Sequence, residues 1–212
     1  MKRNSRLNVF TTTLVVVSLM ITACSKRGEE TTTGSAGADS RGETAAPAVD
    51  PVKRGEYLVT IGGCHDCHTP CKITPMGPAP DMDRMLSGHP QDLVLPPPPP
   101  LTEPWMWAGA MTNTAFAGPW GISYALNLTP DQNTGIGIWT EELFLNAMRT
   151  GKHFGTSRPI MPPMPWQNLS RATDEDLKAI FAYLKSIRPI ENRVPEYQPP
   201  QGQGAPPVAP AS

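Results

Sequence analysis

Five residues, Cys64-His65-Asp66-Cys67-His68, constrain this chain more than any other stretch. Two thiols three positions apart fall on one turn of helix, and an imidazole follows the second directly. In a chain bound for an oxidising compartment this run reads as a c-type haem attachment site. Each thiol can add to one of the two vinyl groups on a porphyrin edge. The residue after the second thiol is then held beneath the macrocycle, where its imidazole can bind iron. Cys64 and Cys67 are therefore candidate thioethers, His68 is a candidate iron ligand, and the cofactor expected is one covalent haem c. Three plainer readings compete. Structural zinc needs a second ligand pair at comparable spacing, and the chain has none. A thioredoxin-like redox pair needs a βαβ surrounding, and the flanks carry no strand pattern. A plain disulfide leaves His68 without a role.

Residues 1–23 supply the export signal that haem attachment in bacteria requires. Lys2, Arg3 and Arg6 precede an apolar stretch from Leu7 to Ile21, the layout of a secretory signal. The stretch is too short and too rich in Thr for a comfortable membrane span. Ile21-Thr22-Ala23-Cys24 resembles a bacterial lipobox, with Ile21 where Leu is usual, and makes Cys24 the candidate lipidation site. The other reading is an ordinary signal peptide that leaves Cys24 a free thiol. Ser25 resembles the sorting rule for the outer membrane of a Gram-negative bacterium, so the location expected is periplasmic and lipid-anchored. Cleavage removes three cations and takes the formal charge from -1 to -4. That balance argues against nucleic acid as a partner. Residues 24–49 hold hardly any large apolar side chain and are expected to form a flexible tether.

With 26 prolines in 212 residues, the apolar content suffices for one modest core, placed at 50–195. Asp50-Pro51 forms an N-cap and N1 proline for a helix that ends at Gly62-Gly63. A second helix is predicted from about Thr140 to Thr150, stopped by Gly151. The most regular amphipathic stretch follows Thr173, with Leu177, Ile180, Phe181, Leu184 and Ile187 on one face. Residues 196–212, rich in Pro, Gln, Gly and Ala, read as a disordered tail.

A helix before Cys-x-x-Cys-His, an amphipathic helix at the domain's end and a methionine upstream of it resemble the class I cytochromes c. The resemblance covers roughly 51–190. It implies an all-α cytochrome c fold, here with a long, irregular, proline-rich insertion after the haem motif. It also implies a close crossing of the first and last helices, with Gly55 on one and Tyr183 or Phe181 on the other. The chain is most similar to cytochrome c domains beside bacterial alcohol and sugar dehydrogenases, through Asn127-Leu128-Thr129-Pro130-Asp131 and Thr134-Gly135-Ile136-Gly137-Ile138-Trp139. In those domains this loop packs on the haem edge, which implies the Trp139 indole as a donor to a propionate. A core aromatic is the competing role for Trp139.

Two soft thioethers, Met161 and Met164, stand on the proline-stiffened run Pro159–Trp166 and could fill the sixth iron position. The family pattern Met-Pro-aromatic selects Met164-Pro165-Trp166, leaving Met161 as a packing residue. His65 is expected to point away from iron, His89 to sit on a surface turn, and His153 to be at most a distal or haem-edge group. Cys71 is expected to be an inert thiol or a site for intermolecular pairing. In the insertion, about Pro70 to Ser123, the run Pro96–Pro100 with Trp105 and Trp107 reads either as a cover over the haem or as a docking surface.

His/Met ligation leaves no open coordination position, so the function expected is single-electron transfer and not catalysis. The resemblance implies a dehydrogenase as electron donor, another cytochrome or a terminal oxidase as acceptor, and membrane attachment through the N-terminal lipid. The alternative is a haem enzyme or small-gas sensor whose distal methionine swings away.

Overall fold

The computed structural model describes residues 50–200. The signal segment 1–23, Cys24, the tether 24–49 and residues 201–212 of the tail lie outside the described residues. Helix α1 spans Pro51–Ile61, capped by the Asp50 carboxylate on the Val52 amide at 2.9 Å. A five-residue helix α2, Cys64–His68, carries the motif. Helix α3 spans Glu141–Thr150 between a Thr140 cap and Gly151 at φ 66°. A short α4, Trp166–Leu169, precedes α5, Asp174–Ser186, which the Thr173 hydroxyl caps on the Asp176 amide. No helix of the described residues is long and apolar enough to cross a membrane.

Helices α1 and α5 cross as the resemblance implied. A Cβ on Gly55 would lie 1.9 Å from the Ala179 carbonyl oxygen and 2.7 Å from the Tyr183 Cβ, so only glycine permits this approach. Phe181 is not at that crossing position; it is buried against Phe144, with ring centroids 5.3 Å apart. Val59 from α1, Phe144, Ala147 and Met148 from α3, and Leu177, Ile180 and Leu184 from α5 complete the core, with Leu86 and Ile136 from the loops. Apolar burial of this kind contributes about 1.5–3 kcal/mol for each large side chain.

The all-α expectation is wrong. The described residues hold two antiparallel sheets, both within the insertion that read as irregular. Strands β1 (Cys71–Thr74) and β2 (Gly77–Pro80) form a hairpin, with Cys71 opposite Pro80. Strands β3 (Ala108–Gly109), β4 (Ala115–Gly118) and β5 (Gly121–Tyr124) form a three-stranded sheet in that order. These strands are at most four residues long, and β2, β3 and β4 are built largely from Ala, Gly and Pro. Runs so short show no clear alternation, so periodicity missed them. Tertiary contact supplies what propensity lacks. Gly121, at φ 97°, turns the β4–β5 hairpin, and a Cβ there would sit 2.0 Å from the Gln198 carbonyl oxygen. Gln198 exchanges backbone hydrogen bonds with Ile122. Residues 196–212, expected to be a loose tail, therefore begin with an ordered pairing.

His89 also departs from expectation. It is fully buried, with one ring nitrogen 2.9 Å from the Thr114 hydroxyl, the other 3.2 Å from the Leu93 carbonyl, and its ring against Tyr124. The turn that carries it is closed over by Asn192, whose amide nitrogen donates to the carbonyls of Ser87 and His89. Burial holds the His89 imidazole below its ordinary value of 6.5, against the opposing pull of the Leu93 carbonyl and the Asp92 charge. An imidazole whose folded value is depressed contributes stability above pH 6.5, lost as pH falls towards the folded value, because the unfolded chain takes the proton first. His65 and His153 shift the same way. The urea midpoint of the wild type should therefore fall between pH 7 and pH 5. In a His89→Gln variant that fall should be smaller, and equal slopes would refute the assignment.

Candidate haem site

Gly62 closes α1 with its amide on the Leu58 carbonyl, and Gly63, at φ 65°, turns the chain into α2. Two sulfurs and one imidazole thus leave a single short helix. Cys64, Cys67 and Cys71 are all free thiols. Burial pushes the Cys64 thiol up to about 11, helped by the Asp66 charge, and raises Cys67 for the same two reasons in the same order. Both are therefore kept as neutral thiols at neutral pH.

His68 is buried, and its Nδ1 lies 2.7 Å from the Leu126 carbonyl oxygen. A carbonyl can only accept, so Nδ1 carries the proton and Nε2 keeps its lone pair. Among the described residues none donates to Nε2, whose lone pair is left for a ligand. Burial depresses the His68 imidazole strongly enough to outweigh the Leu126 contact, which keeps the ring neutral. The helix is pinned from behind: the Gly88 amide donates to the His68 carbonyl, and the Leu86 amide to the Thr69 hydroxyl. Gly88 runs so close that a Cβ would meet the Ala125 carbonyl oxygen at 2.4 Å.

The Met161–Met164 loop is held at both ends. The Ile160 amide donates to the Gly151 carbonyl at 2.8 Å, and the Trp166 indole lies where a Cβ on Gly151 would be. Met161 and Met164 are both half-buried. Midway, the Pro162 carbonyl accepts from the Ser123 hydroxyl at 2.5 Å. Ser123 belongs to β5, and Leu126, which holds His68, follows three residues later. The stretch from Ser123 to Leu126 therefore touches both chain segments that carry candidate iron ligands. Sequence reasoning passed over Ser123, since a lone serine in a Gly-rich stretch carries no signal of its own.

Trp139 is half-buried, stacked on Phe154 at 4.6 Å and edge-on to His153 at 5.2 Å. No described residue accepts its indole N–H. The loop before it folds on itself: the Asp131 carboxylate accepts from the Thr134 hydroxyl and from the amides of Asn133 and Thr134, which holds it below the usual carboxylate range. His65 is turned onto the Thr69 hydroxyl at 3.0 Å. Cys71 lies on β1, its amide bonded to the Thr112 carbonyl. All five residues of Pro96–Pro100 are exposed, as are Trp105 at 73% and Met106 at 67%. The hairpin β4–β5, and not the proline run, is the part of the insertion bonded to the Met161–Met164 loop.

No protein-family model matches the chain. It is 28% identical over 149 residues to the alcohol dehydrogenase (quinone) cytochrome c subunit of Gluconobacter oxydans, covering 68% of this chain and 24% of that subunit. It is 31% identical over 142 residues to the gluconate 2-dehydrogenase cytochrome c subunit of Pantoea cypripedii, covering 66% and 24%. The chain is similar to the cytochrome c domains that accompany dehydrogenases. It is also 28% identical over 159 residues to the fructose dehydrogenase cytochrome subunit of Gluconobacter japonicus, covering 74% and 26%. The chain spans about a quarter of the length of these relatives.

Cytochrome c relatives imply haem c, and the residues of this cytochrome c-like domain fit that group. Two unbridged thiols leave one helix, a neutral imidazole keeps one nitrogen lone pair, and two thioethers stand on an anchored loop. Among the described residues no three His, Cys, Asp or Glu side chains come together to hold a metal ion by themselves. Relatives of this kind are consistent with electron transfer.

Proposed function

We propose that this chain is a periplasmic, lipid-anchored monohaem cytochrome c that carries single electrons. Cys64 and Cys67 hold one haem through thioethers, His68 binds the iron on one side and Met164 on the other. Trp139 donates its indole N–H to a propionate, and Cys24 carries the lipid. The observation that carries this reading is the state of His68: its Nδ1 proton is committed to Leu126, leaving Nε2 as a lone-pair donor beside two free thiols. A partner that fixes the far nitrogen of a metal-bound imidazole also sets its tautomer and orientation.

When bound, the haem supplies a one-electron couple. The chain's own residues hold it, shield it and fill both axial positions, so substrate has no route to iron. The electron donor is a dehydrogenase, as the names of the relatives suggest, and the acceptor another cytochrome or a terminal oxidase. A flexible tether over 24–49 would let the domain reach both while anchored. Contact with such partners is expected to be small and short-lived, because turnover requires release.

The test is the visible spectrum of the reduced, matured protein with and without carbon monoxide. A low-spin spectrum unchanged by the gas is expected. A shift on adding carbon monoxide would overturn the reading and favour catalysis or gas sensing.

A further inference from the structure

The hydroxyl of Ser123 makes the shortest polar contact to the Met161–Met164 loop, 2.5 Å to the Pro162 carbonyl oxygen. The side chain is buried, at 7% exposure. Its single proton has two nearby acceptors, and the Phe116 carbonyl at 3.4 Å is too distant to compete. The Trp120 indole donates to the same oxygen at 3.3 Å, which polarises the hydroxyl towards Pro162. Trp120 is fixed in turn, its ring over Gly118 and its carbonyl bonded to the Tyr197 hydroxyl. The clamp is therefore a chain, Trp120 to Ser123 to Pro162, built on a hairpin whose far side is closed by residues 197–198.

We propose that Ser123 is a positioning residue for the sixth iron ligand, holding Met164 in place through the Pro162 carbonyl. This rests on Met164 as that ligand. The physical need is plain. A thioether is a weak, neutral donor, and a loop free to move would let water or a small base replace it. The loop has no regular structure to hold it, since α4 begins only at Trp166. Its ends are fixed at Gly151, but the residues between depend on a bond from outside, and Ser123 supplies it. The chain continuing from β5 holds His68 through the Leu126 carbonyl, three residues on. The four-residue stretch 123–126 thus contacts both segments that would carry the iron ligands.

The test uses the full-length, haem-loaded protein. Ser123→Thr and Ser123→Val add the same bulk and differ only in the hydroxyl, so a packing effect would appear in both. The oxidised proteins are titrated with imidazole while the sulfur-to-iron charge-transfer band is followed. Ser123→Val is expected to bind imidazole about tenfold more tightly than Ser123→Thr, the effect of one lost hydrogen bond on the closed state. Equal affinities would overturn the proposal. Met164→Ala in the same series separates the two layers. If Met164→Ala loses the band while the two Ser123 variants bind imidazole alike, the role of Ser123 fails and the ligand stands. If Met164→Ala keeps the band and the wild-type affinity, both fail.

Discussion

Met164→Ala is expected to convert the reduced protein from a form indifferent to carbon monoxide into one that binds it. The thioether is a soft donor that favours ferrous over ferric iron. Its loss leaves water or an open position, low-spin character falls, and the reduction potential drops by something on the order of hundreds of millivolts, within the about 0.8 V that axial ligands span. Met161→Ala is the necessary control. Both methionines are half-buried on the same loop, so a loosened loop could disturb either. The expected pattern is a large spectral and potential change for Met164→Ala and a small one for Met161→Ala. The reverse pattern would move the ligand to Met161. The choice between them rests on chain order: Met164 is followed by Pro165 and Trp166, and that indole is fixed against Gly151. Met161 has no such anchored aromatic beside it.

Gly55→Ala is the second large effect, and its sign runs against helix propensity. In an exposed helix interior the change would stabilise by about 0.8–1 kcal/mol. Here the new methyl group would sit 1.9 Å from the Ala179 carbonyl oxygen, far inside any normal carbon–oxygen contact. The obstacle is backbone on α5 and not the end of a flexible side chain. Helices α1 and α5 must therefore move apart, loosening Val59 against Leu177, Ile180 and Leu184. Overpacking of this kind costs about 1–3 kcal/mol and more where the backbone must shift. We expect a net loss of about 3 kcal/mol, read as a lower urea midpoint with an unchanged slope. The same separation would tilt α1 and disturb its continuation into α2, so haem incorporation in the cell should fall as well. A midpoint equal to or above that of the wild type would show that the helices do not meet at Gly55.

These two variants test different things. One removes a donor and leaves the fold intact; the other keeps every donor and opens the frame that presents them. A chain whose spectrum changes in the first and whose stability changes in the second has the organisation described above. The pairing of Arg54 with Asp176, 2.9 Å apart across the same two helices, is half-exposed and contributes little by comparison.

Much of the site was legible from the chain because its chemistry is local. Cys64, Cys67 and His68 lie within five residues, so one helical turn is enough to bring them together, and their spacing in a chain read as exported pointed to a haem. The helices were legible for a similar reason: Asp50, Thr140 and Thr173 cap them through bonds that span two or three residues. Gly55 was readable only with the family resemblance in hand, since a glycine in a helix announces nothing about what crosses it. The sheets were not legible at all. Strands of two to four residues have too short a pattern to reveal, and in the three-stranded sheet β5 is held by Gln198 and Pro162 from far along the chain. His89 was misjudged for the same reason. A Gly-His-Pro turn looks like surface, and only Thr114, Tyr124 and Asn192, distant in sequence, bury it. The chain's local order therefore determined which donors exist and on which elements they ride. Tertiary structure decided what holds them, because a carbonyl at Leu126 and a hydroxyl at Ser123 acquire partners only once segments some forty to sixty residues apart have folded together.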